Sequence, residues 1–184
     1  MRHWKLAVAA ALILCHWATP TFADSAARPV AQLRTSGSFT APVGFQIFCL
    51  TNRAFCRGGG AEQIRLNQST QSALEAINTR VNRAIRPRGE RQDIWTLGAT
   101  QGDCEDYVLA KRAALVSAGL PASALRIAAV VTANGQGHAV LVVRTDQGDL
   151  VLDNLTSAIK PFSQTSLRWV AMTAADGRTW KRIA

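Results

Sequence analysis

Gly102-Asp103-Cys104-Glu105-Asp106-Tyr107 sets one cysteine among three carboxylates. Two later segments, Gly137-His138-Ala139-Val140-Leu141 and Val151-Leu152-Asp153-Asn154, supply a histidine and an aspartate. In that order the three are the parts of a thiol nucleophile, a base for its proton and an acid that orients the base. Asp149 and Asn154 are alternatives to Asp153 for the orienting part. His3 and His16 lie near the start of the chain, so once a leader is removed His138 is the one base available to such chemistry.

That leader is legible. Arg2 and Lys5 precede an apolar run from Leu6 to Leu14, and Thr21-Phe22-Ala23 places small residues where a signal peptidase reads. Cleavage before Asp24 is expected. The run is shorter than the roughly 20 residues of a bilayer span, so no stable membrane anchor is expected and the mature chain belongs outside the cytoplasm, in the periplasm. A lipoprotein site at Cys15 is the alternative, with Leu14 standing where a small residue would be expected.

Loss of the leader leaves Cys49, Cys56 and Cys104. In an oxidising compartment an odd number means a pair and a free thiol. Cys49 and Cys56 are near enough in sequence to close a local loop as a disulfide, and this leaves Cys104 single. A redox role for the pair is not expected, because the spacing is not Cys-x-x-Cys.

The elements that must position these residues follow from periodicity. Residues 24–40 are rich in Ala, Ser, Thr and Gly and read as a loosely held arm. Leu74, Ile77, Val81 and Ile85 recur at helical spacing, predicting a helix over 72–85 with a Ser72/Glu75 capping box, a stop at Pro87 and a wet face carrying Asn78, Arg80, Asn82 and Arg83. Residues 87–102 read as irregular, with Trp95 either walling a cleft or plugging the core. A second helix starts at Cys104, its alanines Ala110, Ala114 and Ala118 suited to packing on a flat sheet, and ends at Gly119 and Pro121. Strands over 125–132, 138–145 and 149–153, separated by Asn134-Gly135 and Asp146-Gln147-Gly148, predict an antiparallel meander. Edge strands are expected around 167–172.

A helix start suits the nucleophile. Its unpaired N–H groups and dipole favour a thiolate and can hold an oxyanion. Asp103, Glu105 and Asp106 act in the opposite sense, raising the thiol pKa by like-charge repulsion. His138, an arginine or a bound cation must offset them.

The chain carries 21 Lys plus Arg against 12 Asp plus Glu, a net +9. The arginines are dispersed, without interleaved aromatics for base stacking, so a solvated basic face is the reading and nucleic acid is not an expected partner.

Gly-Asp-Cys-Glu-Asp-Tyr, Gly-His-Ala-Val-Leu and Leu-Asp-Asn together resemble the bacterial transglutaminase-like cysteine proteinases over residues 41–184. The resemblance implies an α+β, papain-like or transglutaminase-like fold, with N-terminal helices packed on an antiparallel sheet and the nucleophile at a helix N-terminus. It implies a Cys104, His138, Asp153 triad acting on a protein substrate. The family includes a periplasmic protease that clips large surface adhesins, so an adhesin and an inhibitory membrane receptor are the implied partners. In those members acidic residues beside the nucleophile bind calcium; Asp103 and Glu105 stand there, which implies a Ca²⁺ site, although the thiol chemistry itself requires no cofactor. Hydrolysis of a peptide bond is the reaction expected. Acyl transfer to an amine on the same triad is the enzymatic alternative, and a non-enzymatic periplasmic binding module is the alternative from another class.

Overall fold

A computed structural model describes residues 30–89 and 92–184; the expected leader, Cys15 and residues 24–29 of the expected arm lie outside the described residues. In chain order the elements are β1 (Thr35–Phe39), α1 (Val43–Thr51), α2 (Gln68–Ala84), β2 (Arg86–Pro87), β3 (Gln101–Gly102), α3 (Cys104–Ser117), β4 (Leu125–Val131), β5 (Gly137–Thr145), β6 (Gly148–Leu152), β7 (Lys160–Pro161), β8 (Arg168–Thr173) and β9 (Trp180–Ile183). Seven strands form one sheet in the order β1-β9-β8-β4-β5-β6-β7, antiparallel at every pairing. The fold is α+β, as expected.

Strand alternation builds two apolar layers from one sheet. Ile127, Ala139, Leu141, Val143 and Leu152 face the helices, while Ala128, Val130, Val140, Val142 and Val151 face the other way onto Leu33 and Met172. Burying each such Val, Leu or Ile contributes about 1.5–3 kcal/mol. The meander β4-β5-β6 forms as predicted, with Gly135 at φ 85 and Gly148 at φ 117 supplying the left-handed turns. It sets the start of β5, and so His138, close to the end of β6, and so Asp153.

The helices depart from expectation in their ends and faces. α2 buries Leu74, Ile77 and Val81 in its apolar stripe, but it starts earlier, at Gln68. Its cap is Asn67, whose side chain accepts the Thr70 N–H at 2.9 Å, so the Ser72/Glu75 capping box does not form; Glu75 instead accepts from Gln71 at 3.0 Å. Asn78 is fully buried and Asn82 half-buried, so the wet face is narrower than expected. α3 packs on both α2 and β5 and buries Tyr107, Val108, Leu109 and Leu115, leaving Ala118 exposed; the face predicted from its alanines is not the one it buries most.

The chain termini give further corrections. Residues 35–39, read as part of a loose arm, pair with β9, and Leu33 is buried with its N–H bound to Asp149 at 2.7 Å. β8, read as an edge, lies between β4 and β9; the sheet edges are β1 and β7. Both errors arise because partners brought from the far end of the chain decide which strand is interior, and no local pattern records them.

Between α2 and α3 the chain is mostly irregular, as expected, and closes in a two-residue parallel pairing of β2 with β3. Trp95 is a core plug. It packs edge-to-face on Phe45 with centroids 5.3 Å apart and donates to Asp93 Oδ1 at 2.7 Å. Cys49 and Cys56 form a disulfide with Cα atoms 5.7 Å apart. Among the described residues no helix is long and apolar enough to cross a membrane.

Candidate active site

Cys104 opens α3, directly after Asp103 in extended backbone at the cap position. The sulfur is half-buried and, among the described residues, belongs to the one free cysteine. Its thiol donates to Glu105 Oε2 at 3.0 Å. Burial and then the charge and acceptor oxygen of Glu105 push the thiol pKa well up, while the backbone N–H of Ala139 pulls it back. The strand that carries His138 and Ala139 packs directly on α3, which opens at Cys104.

His138 and Asp153 meet across the β5–β6 hairpin. His138 Nε2 lies 2.8 Å from Asp153 Oδ1, with side chains only 6% and 10% exposed. With Nε2 engaged, Nδ1 is the nitrogen left for a thiol proton. Asp153 Oδ1 also accepts the Leu155 N–H at 3.0 Å. Burial raises the Asp153 pKa, but the His138 bond, the Leu155 N–H and the charges of His138 and Lys111 outweigh it and hold the carboxyl below its usual range. Asp149 and Asn154 do not take this place: Asp149 binds Leu33 N–H and Arg144, and the Asn154 side-chain amide oxygen is buried without a hydrogen-bond partner.

The carboxylates around Cys104 divide into two groups. Asp106, counted in the acidic collar from sequence, turns away from the thiol: it is 1% exposed and its Oδ1 accepts the Thr96 N–H at 2.8 Å. Gly102 makes room for it, since a Cβ there would lie 1.8 Å from Asp106 Oδ2. Asp106 therefore pins the 93–102 segment over the start of α3. Asp103 and Glu105 stay with the sulfur, and ligand atoms of Asp103, Cys104 and Glu105 all lie within 4.8 Å of one another. Burial, then the hydrogen bond and charge of Glu105, push the Asp103 pKa up to about 7. A buried Asp103 Oδ1 without a hydrogen-bond partner beside a second carboxylate is a donor set suited to a hard cation.

Two supporting groups were not singled out from sequence. Asn82 Nδ2, on α2, donates to the carbonyls of Asp153 at 3.0 Å and Thr156 at 3.2 Å, and Asn78 Nδ2 donates to Ser157 O at 3.1 Å. Together they clamp the segment after β6. Arg112 is buried and donates to Phe55, Arg57, Ala122 and Leu125 carbonyls, joining α3 to the disulfide loop. The signal for Asn78 and Asn82 was their place beside an apolar stripe; nothing local marked Arg112.

Residues 35–184 match the family described as bacterial transglutaminase-like cysteine proteinase. A comparison with curated proteins finds no match. Among solved structures, calcium-bound LapG of Legionella pneumophila superposes with a TM-score of 0.54 at 27% identity, covering 62% of this chain and 69% of LapG. A second LapG structure gives 0.53 at 28% identity, covering 62% and 68%. An EGTA-treated form gives 0.54 at 27%, covering 62% and 67%. A match over the sheet, all three helices and the Cys, His and Asp segments makes this chain a member of the bacterial transglutaminase-like cysteine proteinases and a cysteine peptidase of that type.

Proposed function

We propose that this chain is an exported, periplasmic peptidase that hydrolyses a peptide bond of an envelope or surface protein, with Cys104 as nucleophile, His138 as general base and acid, and Asp153 as the orienting acid. The observation that carries the reading is the 2.8 Å pair of His138 Nε2 with Asp153 Oδ1, with β5 packed on the helix that Cys104 opens. His138 takes the thiol proton at Nδ1 and the thiolate attacks the scissile carbonyl. Unpaired N–H groups at the start of α3 stabilise the oxyanion. The imidazolium then protonates the leaving amine, giving a thioester, and a water deprotonated by His138 releases the acid and restores the thiol. Asp153 keeps the imidazole in one orientation and supports its charge throughout.

Asp103 and Glu105 are the residues that would hold calcium. A bound Ca²⁺ would neutralise the two carboxylates that keep the thiol protonated. The calcium-bound LapG structure supports this reading. A surface adhesin is the substrate class that the family resemblance favours, with a membrane receptor as the restraining partner.

Iodoacetamide alkylation of the native protein, with the adduct mapped, tests the nucleophile. At millimolar calcium Cys104 should label faster than a free peptide thiol, and labelling no faster than that and independent of pH below 8 overturns the triad. Comparing envelope proteins of wild-type and Cys104→Ala cells tests the substrate: a protein that is clipped only in the wild type supports the reading. Products joined to amines instead of hydrolysed would replace hydrolysis with acyl transfer.

A further inference from the structure

Lys111 has no place in the chemistry above, yet it is one of the more costly residues in the fold. It lies two helical turns after Cys104 on α3, is 0% exposed, and its Nζ has no hydrogen-bond partner in the protein. Long charged side chains normally carry their ends to water, and an unpaired buried ammonium costs several kcal/mol in desolvation. Such a group calls for a compensating partner.

The surroundings supply one. Among the described residues, Asp153 is the charge that acts on Lys111, and the effect is reciprocal: Asp153 raises the lysine pKa and Lys111 lowers that of the aspartate. Three further buried atoms without hydrogen-bond partners belong to the segment around Asp153 or to the helix that clamps it, namely the amide oxygens of Asn78, Asn82 and Asn154. All three are acceptors. Asn78 and Asn82 use their donors on the 153–157 segment, which holds the chain that follows Asp153 in place. Burial lowers the Lys111 pKa to about 7, the field of Asp153 working against it.

We propose that Lys111 is a positioning residue of this centre: its buried, unpartnered ammonium is the internal counter-ion of Asp153 and keeps that carboxylate ionised against His138. The proposal rests on Asp153 being the partner of His138 in catalysis. When the imidazole is neutral, the Leu155 N–H and a single imidazole hydrogen bond are weak support for a buried carboxylate. While Lys111 is protonated, a cation behind it supports the charged aspartate in the steps in which His138 has given up its proton.

The test is reciprocal titration in the full chain. The ¹³Cε resonance of Lys111, identified by its loss in Lys111→Met, is followed against pH in the wild type and in Asp153→Asn. Lys111 should titrate near pH 7, and its midpoint should fall by about half a pH unit or more when the aspartate charge is removed. A midpoint that Asp153→Asn leaves in place overturns the proposal. A second arm follows iodoacetamide labelling of Cys104 at fixed pH and calcium. Lys111→Met should label at least about threefold more slowly, with Lys111→Arg recovering part of the rate because it keeps the charge. Equal labelling in wild type and a folded Lys111→Met overturns a catalytic consequence. If Lys111→Met does not fold, the resonance is assigned through Lys111→Arg and the titration arm decides. Wild-type labelling no faster than a peptide thiol overturns the triad itself, and the titration then judges the ion pair alone.

Discussion

The acids flanking Cys104 and the acid facing His138 are the same kind of group in opposite electrostatic settings. Asp103 is half-buried beside another carboxylate, and burial with the Glu105 charge drives its pKa up to about 7. Asp153 is more deeply buried but is surrounded by donors and positive charge, and it stays ionised below its usual range. Burial alone does not decide whether a carboxyl keeps its proton; the sign of the nearest charges does. One pair of acids stands as two like groups beside a thiol, and the other acid has His138 and Lys111 facing it.

The sharpest way to break this contrast is at Asp153. Asp153→Asn keeps the shape but removes the charge, and kcat for peptide hydrolysis should fall by about 10³–10⁴-fold with the fold retained by circular dichroism. A loss smaller than tenfold would mean that the imidazole is oriented by something else. Neutralising the other side should act in reverse. Asp103→Asn with Glu105→Gln, in chelator-stripped protein, removes the like charge and the acceptor from the thiol, so Cys104 should alkylate roughly tenfold or more faster at neutral pH, each pKa unit of thiol acidity being a factor of ten. The same double variant should lose any rise in Tm that millimolar calcium gives the wild type. A calcium-dependent Tm that persists in the variant would place the ion elsewhere.

Smaller effects test the scaffold behind the contrast. Asn82→Ala leaves the Asp153 and Thr156 carbonyls without their donor, which should cost about 1–3 kcal/mol in denaturant unfolding. Because Asp153 is released with them, kcat should drop more than KM rises. The smallest signal is in the pH dependence of stability. Lys111 is held at about 7 in the folded protein and near about 10.4 when unfolded. The unfolded chain therefore binds more protons above pH 7, and stability should rise with pH through pH 7–8.5. Lys111→Met should flatten that rise. Above about pH 9 the raised pKa values of Cys104 and Tyr107 oppose it, because their unfolded forms ionise first.

Much of the site was readable because its members are local motifs. A nucleophile at a helix start, a histidine opening a strand and an aspartate closing the next are each fixed by a few neighbouring residues, and the hairpin turn at Asp146-Gln147-Gly148 brings the last two together. The meander was legible for the same reason. Elsewhere the information was not local. Asn82 looked like an exposed amide until the 153–157 segment arrived seventy residues later in the chain. The arm became β1 only because β9 returned to its edge. Asp106 resembled its acidic neighbours in type, and only the backbone of Thr96 separates its task from theirs. Long-range pairing and burial are what a linear pattern does not carry.

The disulfide bears on how Cys104 stays single. Cys49 and Cys56 are seven residues apart, across the end of α1. A loop that short closes in well under a microsecond, before α3 has been brought onto the sheet by contacts distant in sequence. The two staple thiols are therefore one another's most frequent partner in the unfolded chain. Sequence distance thus favours the Cys49–Cys56 pair over a pairing of either with the third sulfur.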